Sequence, residues 1–135
     1  DMDTPEGRQR FCYTLESSKV VFSTLNSAGS AMLTSNLDVH TLMLDEGGQT
    51  PEADFYIATN FPGVERIVIV GDPKQLPATV INVDCKTAGF GYSWLGKIQS
   101  LHPEKVHLLD TQYRMDPQIL VFPNRTFYDN RILSG

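Results

Sequence analysis

The chain has 135 residues, of which 41% are hydrophobic, so it can form one domain with a real core and is too apolar for general disorder. Its 11 basic and 16 acidic residues give a net charge of -5, so the chain as a whole has no positive potential that would attract nucleic acid. Nucleic-acid binding would need a local basic surface or other parts of a longer protein. No apolar run reaches the roughly 20 residues that span a membrane. Cys12 and Cys85 lie far apart and without metal-type spacing. We therefore expect both thiols to be reduced and the protein to be intracellular, in the nucleus or the cytoplasm.

The first part of the chain predicts short elements that lead to an acidic pair. Residues 1–18 are polar without a clear period, and we interpret them as a linker or a partial helix. Residues 19–23 are a strand candidate, and the small residues 24–29 predict a turn that opens a short helix through Met32 and Leu33. Residues 39–44 form a second, largely apolar strand candidate, which ends in Asp45 and Glu46.

The middle of the chain predicts a helix followed by a buried strand. Thr50 is the expected N-cap and Pro51 the first helical residue of a helix over residues 51–60. Four consecutive β-branched residues at 67–70 predict a strand buried on both faces. Together with the preceding strand they predict a βαβ unit, which places both following polar loops at one edge of a parallel sheet.

The last part of the chain mixes irregular and periodic segments. Residues 76–91 are expected to be irregular, and residues 92–101 to form an amphipathic helix stopped by His102 and Pro103. Residues 106–109 predict a short fourth strand, and Pro117 starts a helix before an aromatic tail.

Asp45 and Glu46 are two adjacent carboxylates at the end of an apolar strand, as in a Walker B site. In such a site the first carboxylate helps to hold Mg²⁺ on nucleotide phosphates, and the second orients and deprotonates the attacking water. The simpler interpretation is a solvated acidic pair at a strand end.

Two further loops carry candidate phosphate ligands. Gln75 lies in the loop G-D-P-K-Q-L-P and has donor and acceptor groups for a terminal phosphate or for the attacking water. Arg114 follows the fourth strand candidate and can place a planar cation on a γ-phosphate, while Tyr113 offers a ring face to an adenine base. The alternatives are an ordinary proline-rich turn and a surface arginine beside a core tyrosine.

Four motifs follow one another along the chain: L-M-L-D-E-G-G-Q, I-V-G-D-P-K-Q-L-P, L-D-T-Q-Y-R-M-D-P and the trailing F-Y-D-N-R-I-L. In this order they resemble the motifs of superfamily 1 helicases of the Upf1-like group, which includes senataxin-type helicases. The resemblance covers residues 19–134. It implies an α/β fold of the RecA-like P-loop NTPase type, present as a partial parallel sheet flanked by helices. Residues 19–109 would then be the C-terminal part of the first RecA-like domain, and residues 110–135 the start of the second.

The resemblance also implies a role for each matching residue. Asp45 would bind Mg²⁺, Glu46 would be the catalytic base, and Gln75 would sense the γ-phosphate of ATP. Arg114 would contact the same phosphate and Tyr113 would lie near the base. The resemblance further implies that Thr24 touches the backbone of single-stranded RNA or DNA.

The chain departs from the family pattern at two places. Gly47 and Gly48 stand where the family has small residues such as Ala or Ser, and the added backbone freedom predicts a catalytic base that is less well held. No Walker A loop, G-x-x-x-x-G-K-S/T, precedes Asp45; residues 91–98 match its glycine and lysine spacing, but Ile98 replaces the hydroxyl and no strand precedes them. We therefore expect residues 91–98 to form a helix rather than a phosphate loop.

Two functions are consistent with these observations; a nucleotide-dependent switch without unwinding is a third, which the sequence does not separate from the first. The first is an ATP-dependent helicase or translocase, present here as a fragment with both ends cut and inactive without the remainder of the helicase core. The alternative is a non-catalytic, degenerate RecA-like module that binds a protein or nucleic-acid partner. Sequence upstream of residue 1 discriminates between them, since a motor needs a Walker A loop there.

Overall fold

The computed structural model describes residues 4–135, which form two compact units, one up to Lys97 and the other from Ile98 onward. The helices are α1 Pro5–Ser17, α2 Leu25–Ala28, α3 Ala31–Thr34, α4 Glu52–Ala58, α5 Val83–Thr87, α6 Trp94–Leu101 and α7 Pro117–Phe127. The strands are β1 Thr41–Leu44, β2 Arg66–Ile69, β3 Thr111–Gln112 and β4 Leu133–Ser134. Short 3₁₀ helices lie at Gly47–Gln49 and Pro103–Lys105.

The first unit contains the predicted βαβ arrangement. Strand β1 pairs in parallel with β2, with Leu44 opposite Ile69, and α4 lies between the two strands in the sequence. Leu44 of β1 and Phe55 and Ala58 of α4 are among the buried core residues of this unit. The parallel pairing confirms that both loops leave the same edge of the sheet.

Helix α4 begins one residue later than its sequence signals predict. Pro51 is the N-cap, with an extended backbone, and Glu52 is the first helical residue. Thr50, predicted as the cap, instead ends the preceding 3₁₀ helix, and its hydroxyl donates to the carbonyl oxygen of Glu46 at 3.5 Å. The prediction was wrong because Thr50 closes the 3₁₀ helix Gly47–Gln49, so the N-cap position moves to the next residue, Pro51.

Strand β2 was expected to be buried on both faces, and this is wrong for the described residues. Ile67 is 44% and Val68 38% exposed. In residues 4–135 the sheet has two strands, so β2 borders only β1 and nothing in that range pairs with its other edge.

Two other predicted strands are absent from the described residues. Residues 19–23 and residues 106–109 belong to no strand, although both contain β-branched or large apolar side chains. Phe22 is 94% and Leu109 82% exposed. Strand propensity alone does not form a strand, because the ladder needs a neighbour whose backbone groups pair with it.

The N-terminal residues and residues 76–91 contain more helix than their sequence indicates. The segment interpreted as a linker or partial helix forms α1, where the side chain of Thr4 accepts a hydrogen bond from Gly7 N and Pro5 opens the first turn. Helix α5 was not predicted; Asn82 caps it by accepting from Cys85 N at 3.0 Å. The predicted amphipathic helix is confirmed as α6.

The second unit repeats the βαβ order on a smaller scale. Strand β3 pairs in parallel with β4, and α7 lies between them in the sequence with Asp116 as its N-cap. Leu120 of α7 is buried. The side-chain amide of Asn124 bonds both the N–H and the carbonyl oxygen of Ile132, which fixes the segment that leads into β4. Among residues 4–135 no helix combines the length and the apolar character that a membrane crossing requires.

Candidate functional site

The loops after β1 and β2 are joined by their backbones. Gly47 N donates to the carbonyl oxygen of Val70 at 2.8 Å, and Val70 N donates to the carbonyl oxygen of Leu44 at the same distance. The backbone pairing therefore extends to Val70, one residue past β2, and to Gly47, three residues past β1. It holds Asp45 and Glu46 beside the loop that contains Gln75.

Three glycines allow this close approach. A Cβ on Gly71, whose φ is 157°, would lie 2.7 Å from the backbone nitrogens of both Gly47 and Gly48. A Cβ on Gly48 would lie 2.8 Å from the carbonyl carbon of Asp72. Both Gly47 and Gly48 are buried. The two glycines after the acidic pair thus serve backbone packing between the loops, a role that the expectation of added freedom did not include.

Glu46 is held by local hydrogen bonds although its side chain is exposed. Its backbone is left-handed, with φ 55° and ψ 35°, which is unusual for a residue with a side chain and costs roughly 1 kcal/mol or more. Gln49 Nε2 donates to Glu46 Oε2 at 3.2 Å, and Gln49 N donates to the carbonyl oxygen of Glu46 at 3.0 Å. Glu46 N in turn donates to Asp45 Oδ1 at 2.9 Å. The carboxylates of Asp45 and Glu46 therefore have defined and different surroundings.

The donor set suits a divalent cation that is shared with a nucleotide. Among residues 4–135 no three His, Cys, Asp or Glu side chains gather to hold a metal by themselves. Mg²⁺ in nucleotide sites is bound by one or two carboxylates together with substrate phosphates and waters, which Asp45 and Glu46 can supply in part. The residues present therefore fit a metal that arrives with phosphate ligands.

The side chain of Gln75 is bound within its own loop. Asp72 Oδ1 accepts from Lys74 N at 2.9 Å and Asp72 Oδ2 accepts from Gln75 Nε2 at 3.0 Å. Gln75 N donates to the carbonyl oxygen of Asp72 at 3.2 Å and closes the turn. The amide is exposed to solvent but has a fixed orientation relative to Asp72.

In the second unit, Gln112 organises the loop that carries Tyr113 and Arg114. Its side-chain oxygen accepts from Arg114 N at 2.9 Å and from Met115 N at 2.6 Å, and its Nε2 donates to the carbonyl oxygen of Met115 at 2.8 Å. Tyr113 is 83% exposed, and Arg114 is exposed as well. The alternative of a core tyrosine is thus wrong for the described residues, and both side chains are accessible to a ligand.

Thr24 is the N-cap of α2, and its hydroxyl is exposed. Thr24 Oγ1 accepts from Ser27 N at 3.3 Å and donates to Ser27 Oγ at 3.0 Å. The hydroxyl therefore already has a structural use in the absence of nucleic acid.

The segment with Walker A spacing forms the start of α6, where Lys97 is paired with a carboxylate. Lys97 Nζ lies 2.8 Å from Glu52 Oε1 and 2.9 Å from Glu52 Oε2, and 4.9 Å from the centre of the Trp94 ring. The hydrogen bond from Lys97 holds the pKa of Glu52 below its usual value, and the hydroxyl of Tyr56 acts in the same direction. Trp94 also stacks on Phe55, with 5.4 Å between ring centres. These contacts pack the segment against α4, and the prediction that it forms a helix is confirmed for residues 94–98.

Sequence reasoning missed the residues that hold the site residues in place. Asp72, Gln49 and Gln112 each bond a neighbour two or three positions away. The signal available for Asp72 was a short polar side chain two residues before Lys74, a spacing at which such side chains bond nearby backbone groups.

Comparison with known families and proteins gives consistent matches over both units. A family model described as AAA domain matches residues 6–83, and a second model with the same description matches residues 90–135. The chain is 40% identical over 126 residues to "Probable helicase MAGATAMA 3" of Arabidopsis thaliana, which covers 90% of the chain and 15% of that protein.

Other relatives match over a similar share of the chain. "Helicase sen1" of Schizosaccharomyces pombe is 35% identical over 122 residues, 90% of the chain and 7% of the relative. "Probable helicase senataxin" of Homo sapiens is 31% identical over 134 residues, 85% of the chain and 5% of the relative. The chain thus spans between 5% and 15% of the length of these three relatives.

Proposed function

The chain belongs to the AAA domain family, as a piece of an Upf1-like superfamily 1 helicase with a partial RecA-like α/β fold, and from this premise we propose that the whole protein hydrolyses ATP to move on single-stranded nucleic acid. The proposal covers RNA and DNA alike. It includes an intracellular location, in the nucleus or the cytoplasm.

The observation that carries this proposal is the joining of two polar loops at one edge of a parallel sheet. Open α/β sheets bind ligands outside the carboxyl ends of their strands. Here that edge carries two carboxylates from one loop and an amide from the other, linked through the bond between Gly47 N and the Val70 carbonyl oxygen. A carboxylate pair and a neutral amide are the groups that activate a water against a phosphoanhydride and detect its terminal phosphate.

Within this proposal, the two carboxylates have separate tasks. Asp45, whose Oδ1 already accepts from Glu46 N, would help to hold a divalent cation, which we assign as Mg²⁺. When bound, that cation would neutralise charge on the phosphates of ATP. Glu46 orients the attacking water and accepts its proton, and Gln49 steadies the carboxylate through its Nε2 bond.

The remaining site residues are assigned to the γ-phosphate of ATP, to its adenine base and to the nucleic-acid backbone. Gln75 contacts the γ-phosphate or the attacking water, and Arg114 contributes a planar cation to the same phosphate. Tyr113 offers its exposed ring to the adenine base, and Thr24 offers its hydroxyl to the nucleic-acid backbone. We assign residues 19–109 to the first RecA-like domain and residues 110–135 to the start of the second.

These 135 residues lack a Walker A loop, so we propose that catalysis needs the remainder of the helicase core. The ATPase rate of the isolated 135-residue chain, measured with and without single-stranded RNA, should be negligible. Robust turnover by the isolated chain would contradict this part of the proposal.

The main test is Glu46→Gln in the whole protein. Glutamine keeps an oxygen that can accept from Gln49 but cannot take a proton, so hydrolysis should fall by about 10² to 10⁴ while ATP binding stays within about twofold. Glu65→Gln, at an exposed position in the same unit, is the control and should leave both unchanged. Near-normal turnover in Glu46→Gln rejects Glu46 as the base, and absence of ATP binding by the wild-type protein favours the non-catalytic module.

A further inference from the structure

Side-chain hydrogen bonds of Asp72 fix the shape of the Gln75 loop. Its Oδ1 accepts from Lys74 N at 2.9 Å, and its Oδ2 accepts from Gln75 Nε2 at 3.0 Å. Its carbonyl oxygen accepts from Gln75 N at 3.2 Å, so backbone and side chain of Gln75 are both tied to this residue.

The chemistry of the partners sets which end of the Gln75 amide faces Asp72. An ionised carboxylate only accepts hydrogen bonds, so it can bond only the NH₂ end of the amide. One N–H of that group is then used by Asp72. The second N–H and the lone pairs of the amide oxygen keep a fixed direction, in which they can meet a phosphate oxygen and a water.

From this geometry we propose that Asp72 is a positioning residue, which orients the Gln75 amide so that the site distinguishes ATP from ADP. The inference rests on the proposed function, in which Gln75 senses the γ-phosphate. Asp72 itself does not touch the nucleotide in this scheme. Its contribution is to prevent the amide from turning its oxygen toward the phosphate, where two acceptors would oppose each other.

The substitution Asp72→Asn isolates this orienting effect. Asparagine keeps a side-chain oxygen for Lys74 N, so the turn is retained, but it presents NH₂ where the second carboxylate oxygen was. The Gln75 amide must then rotate by half a turn to offer its oxygen. The N–H that would meet the γ-phosphate is lost, although the loop keeps its fold.

The test uses the whole protein and compares the dissociation constants of ADP and of the non-hydrolysable analogue with an imido group between the β- and γ-phosphates. Asp72→Asn should reduce the preference for the analogue roughly 10- to 150-fold, the effect of one hydrogen bond to a charged group, while leaving the dissociation constant of ADP unchanged. Asp84→Asn removes the same charge from an exposed position of α5 and is the matched control.

A double-mutant cycle shows whether Asp72 acts through Gln75. In a Gln75→Ala background, Asp72→Asn should have no further effect on the preference. An equal effect in both backgrounds, or a weakened ADP affinity, would mean that Asp72 only maintains the loop and would overturn the proposal.

The cycle also separates this inference from the function on which it rests. If Gln75→Ala lowers the preference while Asp72→Asn does not, the positioning role alone fails. If Gln75→Ala leaves the preference unchanged, Gln75 is not the sensor, and both statements fail.

Discussion

Gly71→Ala tests whether the close approach of the two loops supports catalysis. The new methyl carbon would lie 2.7 Å from the nitrogens of Gly47 and Gly48, whereas ordinary van der Waals contact begins at 3.4 Å. Because both neighbours are backbone atoms, the loops would have to separate by about 0.7 Å. That movement lengthens the 2.8 Å bond between Gly47 N and the Val70 carbonyl oxygen to about 3.5 Å, the limit of a hydrogen bond.

The expected loss of stability follows from two terms. Leaving the N–H of the buried Gly47 without its partner costs about 1–3 kcal/mol, and a side chain at the positive φ of Gly71 costs about 1–3 kcal/mol. Since the loops can relax in part, we expect a total of about 2–4 kcal/mol. In the whole protein the shift of Glu46 relative to Gln75 should also lower ATP hydrolysis by about 10- to 100-fold.

Stability is measured by urea unfolding of the chain, followed by the fluorescence of Trp94, which is the chain's one tryptophan and packs on Phe55. Gly96→Ala is the control, because its new Cβ would lie 3.2 Å from Ser93 Oγ and not against backbone atoms. Alanine is favoured over glycine in a helix by about 1 kcal/mol, so the free energy of unfolding should change by no more than that amount. A Gly71→Ala protein that unfolds within about 0.5 kcal/mol of wild type and hydrolyses ATP normally would refute the reasoning.

Three further outcomes are expected. Lys97→Met should leave ATP affinity of the whole protein within about twofold in equilibrium titrations, because Lys97 binds Glu52; a large loss would restore the phosphate-loop interpretation. The pKa of the Glu52 carboxyl is lowered in the folded state, so the carboxylate stabilises the fold fully above its ordinary pKa of 4.5, and this stabilisation is lost as the pH falls through the folded-state pKa. The melting temperatures of wild type and Glu52→Gln should therefore differ at pH 7 and converge below pH 4.5. Thr24→Asp keeps an acceptor for the α2 cap but adds negative charge, so fluorescence anisotropy should show weaker binding of single-stranded RNA at an unchanged melting temperature; equal binding would remove Thr24 from the nucleic-acid contact.

The sequence predicted the part of the fold in which local and long-range signals agree. Residues 67–70 are β-branched, and the polar loops that follow both strands imply one sheet edge, so the βαβ unit and the joining of its two loops were predictable from the sequence. Residues 19–23 have equal strand propensity but no partner strand among residues 4–135. Pairing depends on residues distant in sequence, which a local pattern does not contain.

The boundaries of short elements failed for a different reason. Helix α5 has five residues, too few for an apolar period, and its only clear signal was the cap Asn82. At α4, Thr50 is a good N-cap residue by type, but its hydroxyl bonds the Glu46 carbonyl oxygen in the preceding loop. At α5 one side-chain hydrogen bond marks the start of the helix, whereas at α4 the preceding 3₁₀ helix moves the cap by one residue.

The proposed site residues have in common that their side chains are exposed, so packing does not hold them: Thr24, Asp45, Glu46, Gln75, Tyr113 and Arg114. For three of them the position comes from a neighbour, since Gln49 bonds Glu46, Asp72 bonds Gln75 and Gln112 bonds the Arg114 backbone. These neighbours are not among the buried hydrophobic residues, so replacing them should reduce activity more than it reduces stability. Gly71→Ala should reduce both, because it separates the two backbones that carry the loops. Comparing the two kinds of variant therefore distinguishes the placement of the loops from the orientation of their side chains, which no substitution at a site residue can do alone.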